Sequence, residues 1–162
     1  MGDSSSSTFF CRNRADASVD APTVGNGNGD VVNDTSGSNN RITVGNGNDT
    51  LFLGKNDTVT VGTGHDSFVF QQTTPGSIGA VTVTGFDPHK DSFTFSNQLT
   101  TSVSYHDDSF GNTVINVDHG GDTVTLLGVH AADLQPHDFH FDPAAQLAQQ
   151  LAQLHVHHSL LV

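Results

Sequence analysis

Apolar residues in this chain fall at alternate positions in short runs, and polar or turn-forming residues separate the runs every few positions. AVTVTGF (80–86), SFTFS (92–96), TSVSY (101–105), NTVINV (112–117) and DTVTLLGV (122–129) each carry the two-residue period of a half-buried strand. GFDPHKD (85–91), SYHDDSFGN (104–112) and DHGGD (118–122) supply turns between them. The pair NTVINV and DTVTLL, joined through DHGG, predicts a β-hairpin with a Gly-Gly turn. A helical period is found only at the end, in DPAAQLAQQLAQLHVHHSLLV (142–162). There Asp142 is an N-cap candidate, Pro143 suits the first helical position, and Leu147, Leu151 and Leu154 form an apolar stripe.

Between Gly25 and Phe70 the pattern becomes a repeat. VGNGNDTLFLG (44–54), GKNDTVTVG (54–62) and VGTGHDSFVF (61–70) align, and their Asp49, Asp57 and Asp66 are spaced by eight and nine residues. Counting nine back from Asp49 reaches Asn40, and about nine more reaches Asp30. So short a period predicts a solenoid. The glycines, Gly45 and Gly47 in one repeat and Gly62 and Gly64 in another, let the loop turn tightly and aim carbonyls inward. The three or four residues after each Asp make a short strand with one inward apolar side chain: Leu51, Val59 or Phe68. Loop and strand in alternation wind a flattened coil of two repeats per turn. Asp49, Asp66 and Asp30 then share one edge, and Asn40 and Asp57 the other.

Composition narrows the chemistry. The 162 residues carry 17 acidic side chains, all of them Asp, against five Lys and Arg, for a formal charge of −12 at pH 7. The last cation of this kind is Lys90. So few cations exclude a nucleic-acid binder. The absence of Glu excludes an H-E-x-x-H zinc helix and an EF-hand ending in Glu. No apolar run approaches the roughly 18 residues of a membrane span, so no stable membrane insertion is expected. The lone Cys11 can form neither an internal disulfide nor a structural zinc site.

Stacked aspartates repel one another, and a solenoid that buries one Leu or Val per repeat has little hydrophobic energy to oppose them. A cation between coils is therefore expected. The donors are hard oxygens, the carboxylates of Asp and the carbonyls of Gly and Asn, which suit Ca²⁺ better than Mg²⁺.

These segments resemble the glycine- and aspartate-rich nonapeptide of RTX, or hemolysin-type, calcium-binding proteins. The resemblance covers about residues 25–142 and is most specific over 44–70. It implies a parallel β-roll that folds on binding calcium, and export by a type I secretion machinery that reads an uncleaved C-terminal signal. TGFDPHKDSFTF and GNTVINVDHGGDTVTLLGVHAADLQPHDFHF look similar to the capping region after the repeats, and residues 143–162 resemble the export signal. Four departures qualify it. Val44 and Val61 replace the first glycine. Lys55 replaces a glycine before Asp57. Asn40 stands in place of an Asp, with Arg41 beside it. Gly25–Gly29 is one residue too long, which puts Asp30 out of register. One or two good sites are expected, centred on Asp49 and Asp66, with the Asn40/Asp57 edge weak or empty.

The expected fold class is all-β: a short parallel β-roll (25–70), a β-rich cap (71–142) and a short terminal helix within the tail (143–162), after a disordered N-terminal segment (1–24). No secretory signal peptide is read at the N-terminus. A metal-free solenoid with Asn and Thr ladders, ice- or surface-binding through TVTVG-type faces, is the structural alternative. The ten histidines, His155, His157 and His158 among them, read as solvated rather than as a zinc site, for want of acidic or Cys partners at ligand spacing. No G-x-S-x-G elbow exists, and Asp107-Asp108 reads as a turn rather than an acid/base pair, so no enzyme is expected. The functional expectation is a secreted, extracellular calcium-binding protein. The alternatives are an adhesin-like surface-interacting protein and the C-terminal secretion module of a larger secreted enzyme.

Overall fold

A computed structural model describes residues 6–11, 20–71, 76–96, 102–117 and 121–141. The expected terminal helix and export tail (143–162) lie outside the described residues. Within them the chain is all-β: twelve strands and two single turns of 3₁₀ helix, Ala131–Asp133 and Pro136–Asp138. The strands are β1 (Thr8–Phe10), β2 (Val31–Asn33), β3 (Arg41–Thr43), β4 (Thr50–Leu53), β5 (Thr58–Thr60), β6 (Ser67–Gln71), β7 (Ala80–Thr84), β8 (Ser92–Ser96), β9 (Val103–Asp107), β10 (Thr113–Val117), β11 (Asp122–Leu127) and β12 (Phe139–Phe141).

They form two six-stranded sheets, ordered β1-β2-β4-β6-β8-β12 and β3-β5-β7-β11-β10-β9. All pairings in the first sheet are parallel, as are β3-β5-β7-β11 in the second. Successive strands alternate between the sheets from β2 to β8, so each coil contributes one strand to each, as the two-repeats-per-turn geometry requires. The expected hairpin is β10–β11, antiparallel with Val117 opposite Asp122; β9 adds antiparallel to β10.

Period-two patterning explains what lies between the sheets. Leu51, Val59 and Phe68 are fully buried. The inward count is higher than one per repeat, because the first sheet buries two ranks. Leu51, Phe68, Phe93 and Phe139 are in register, as are Leu53, Phe70, Phe95 and Phe141. Rings stack up these ranks: Phe93 lies 5.4 Å from Phe68, 4.7 Å from Phe86 and 5.8 Å from Phe139. Each fully buried Phe contributes about 1.5–3 kcal/mol, so the C-terminal half has far more hydrophobic energy than a one-Leu-per-repeat solenoid. Val44 and Val61, at the motif's first glycine position, are core residues too.

Two further expectations change. Thr8–Phe10, inside the segment expected to be disordered, is the edge strand of the first sheet, with Thr8 paired to Val31 and Cys11 buried beside it. Pro22 and Thr23 join the second sheet's edge, where the Thr43 N–H donates to the Pro22 carbonyl at 3.0 Å. Asp30 is in register after all: β2 pairs with β4 from Val31↔Thr50. The surplus residue is taken up at Gly29, whose φ of +81° lets the loop bulge before Asp30.

Candidate metal-binding edge

Each coil turns from the second sheet to the first through a glycine loop, and the loops stack. A Cβ on Gly47 would collide with the Gly27 carbonyl oxygen, and one on Gly64 with that of Gly47. The side chains between the glycines form ladders: Asn26 Oδ1 accepts from the Asn46 N–H (2.9 Å), and Asn46 Oδ1 from the Thr63 N–H (2.9 Å). In the next rank, Asn28 Oδ1 accepts from Asn48 N–H and Asn48 Oδ1 from His65 N–H, each at 2.8 Å.

Beneath the loops runs an aspartate ladder. Asp30 Oδ1 accepts from the Ser7 N–H (2.7 Å), Asp49 Oδ1 from Asp30 N–H (2.9 Å), Asp66 Oδ1 from Asp49 N–H (3.0 Å) and Asp91 Oδ1 from Asp66 N–H (2.8 Å). All four side chains are buried. The expected carboxylate repulsion is therefore offset in part by one backbone hydrogen bond per rung, a charge-assisted kind of bond.

The second oxygens divide the ladder. Asp91 Oδ2 accepts from the Asp87 N–H at 2.9 Å. Asp49 Oδ2 and Asp66 Oδ2 are buried with no hydrogen-bond donor. These two belong to the two intact G-x-G-x-D loops. Burial raises the pKa of both; Asp66 is pushed up to about 6, with the carboxylates of Asp91 and Asp49 adding to the effect. A buried charged oxygen with no partner is costly, and a cation satisfies it.

The opposite edge is built differently. Asp57 Oδ1 accepts from the Asn40 N–H (3.0 Å) and its Oδ2 from the Gly54 N–H (2.8 Å). Asn40 donates through Nδ2 to both oxygens of Asp34, at 2.9 and 2.8 Å, and its Oδ1 accepts from the Asp20 N–H (2.9 Å). Asp122 accepts from Gly76 and Gly79. Protein donors fill this edge. Asp34 is nonetheless raised to about 7 by burial and the nearby Asp57 carboxylate, the Asn40 amide opposing. Cys11 lies in the same field; burial first, then Asp34, Asp20 and Asp57, push its thiol up to about 12, an unreactive state.

Of the positions singled out in the sequence, Asp30, Asp49 and Asp66, with Gly45, Gly47, Gly62 and Gly64, come together on one edge, and Asp57 lies on the other. Asp91 and Asp34 were not singled out. Asp91 had a signal, since Asp91-Ser92-Phe93-Thr94-Phe95 repeats the pattern of Asp66-Ser67-Phe68-Val69-Phe70. Among the described residues no three His, Cys or Asp side chains converge as a self-contained metal centre. The donor set therefore fits a hard cation only if main-chain carbonyls complete it, as in oxygen-rich calcium sites. Asp49 and Asp66 would hold such an ion, with carbonyls of the glycine loops around it, and the ion would supply the positive charge that the two Oδ2 atoms lack.

Among solved structures, the chain is similar to the solution structure of the AlgE6R3 subunit from the Azotobacter vinelandii mannuronan C5-epimerase, with a TM-score of 0.52 and 22% identity over 83% of this chain and 78% of that one. The fold is shared. At that identity the likeness shows the fold alone, a parallel β-roll, and nothing of activity. No protein-family model and no curated protein matches the chain.

Proposed function

We propose that this protein is a secreted calcium-binding module of the RTX type, in which extracellular calcium completes the Asp49/Asp66 edge and drives folding of the roll. The observation that carries the reading is the pair of buried, donorless oxygens, Asp49 Oδ2 and Asp66 Oδ2, at the two intact loops of a stacked ladder. The shared β-roll fold supports it. Extracellular sites bind at about 10⁻⁴–10⁻³ M, so export would run through a type I channel on an unfolded chain, with residues 143–162 as signal. The protein acts by binding, not catalysis. Circular dichroism across a calcium titration tests the folding claim: a β signal that grows with calcium and is lost in chelator supports it, and an already folded, calcium-insensitive spectrum refutes it. Continued export after deletion of 143–162 would refute the signal assignment.

The likeness to a subunit of an epimerase favours a second reading, in which the same module serves a larger secreted enzyme. An in-frame catalytic reading frame directly upstream of Met1 would select it.

A further inference from the structure

The roll ends at an open apolar cleft. Its two sheets finish on β12 and β9, and between these edges Ser102, Val103, Tyr105, Pro136, Phe139 and Phe141 line a space of about 300 Å³. Among the described residues the lining is uncharged and half aromatic; Tyr105 stacks on Phe139 at 5.5 Å and Phe141 on Phe95 at 5.6 Å. A solenoid end of this kind leaves core surface and strand edges uncovered, and stacked-repeat folds depend on a cap there.

We infer that the chain's own C-terminal segment, residues 143–162, docks in this cleft and caps the roll. Three observations select it over other occupants. The chain leaves the cleft at one of its lining residues: Phe141 leads directly through Asp142 into the segment. The reach is right, since Leu147 lies six residues beyond Phe141, about 9 Å along a helix, and Leu147, Leu151 and Leu154 repeat at one face over about 10 Å more. The chemistry matches as well, because residues 143–162 contain no Asp, Lys or Arg and none of the described residues that line the cleft is charged. Docking follows folding, so it leaves the same segment free for recognition while the chain is unfolded. The inference does not rest on the calcium reading.

Tyr105 is the only tyrosine, and the chain has no tryptophan, so intrinsic fluorescence reports on the cleft alone. The experiment is acrylamide quenching of the full-length protein in calcium buffer, with circular dichroism confirming the β signal. Tyr105 is expected to be shielded in the native chain and in Gln149→Asp, on the helix face away from the leucines. In L147D/L151D/L154D, with the β signal retained, quenching is expected to rise clearly above that of the native chain. Shielding that survives the triple variant overturns the inference. It assigns the cleft to a second copy if it grows with protein concentration, or to the 97–101 segment if Leu99→Asp abolishes it. Full quenching in the native chain overturns it too.

Discussion

Replacing Asp66 by Asn separates the ladder from the charge. The amide oxygen still accepts from the Asp49 N–H, a bond of 3.0 Å in the native protein, while the donorless Oδ2 becomes an uncharged NH₂. A shift of the Asp66 carboxyl from 3.8 to about 6 corresponds to about 3 kcal/mol against the charged form, of which solvent screening at the loop leaves about 1–2 kcal/mol. Without calcium, D66N should thus fold at least as readily as the native chain, by up to that amount. Calcium shifts the balance toward the native chain. At about 10 mM calcium a site of 10⁻⁴–10⁻³ M affinity adds about 1.4–2.7 kcal/mol, and the variant forfeits it. The assay is circular dichroism of both proteins in chelator, with TMAO to bring weakly folded chains into range, followed by calcium titration. A variant that loses folded signal in chelator, or one with an unchanged calcium midpoint, would refute the reasoning.

Other consequences follow from the same geometry. Gly64→Ala drives a Cβ into the Gly47 carbonyl and should cost about 1–3 kcal/mol or more in thermal denaturation with calcium present, whereas Gly25→Ala, with open space around the added atom, should stay within about 0.5 kcal/mol. Phe93→Ala removes the ring at the centre of the aromatic ranks and should cost about 3–5 kcal/mol, read as loss of the cooperative melt. Asp34 carries a sign that can be worked out. Its folded-state value, about 7, lies above the ordinary 3.8, so the folded chain holds the extra proton and loses stability as pH rises between about 4 and 7. The stability margin of Asp34→Asn over the native chain should therefore widen from pH 5 to pH 8 in melts at fixed calcium; a constant or shrinking margin contradicts this.

The sequence made the coil legible because its two periods coincide. Alternation placed Leu51, Val59 and Phe68 inside, and the eight- and nine-residue spacing of Asp49, Asp57 and Asp66 set two repeats per turn. What it concealed had physical causes. Asp91 escaped notice because its coil is 25 residues long, measured from Asp66, and the longer loop erases the period although the strand pattern persists. Asp30 looked misaligned because counting cannot see that Gly29 absorbs a residue at positive φ. β1 is a three-residue run whose partner, β2, lies over 20 positions away, beyond any local pattern. The contrast between the edges was half visible: Asn40 interrupts the aspartates on its edge. That Asp57 has both oxygens filled by N–H donors while Asp49 and Asp66 each keep one bare is a matter of three-dimensional register alone.

Calcium stoichiometry decides the central claim most directly. Titration calorimetry on the full chain should give one or two calcium ions bound per protein, with D66N binding fewer and D49N/D66N binding none. No calcium binding by the native chain, or the same stoichiometry in the double variant, would contradict the account.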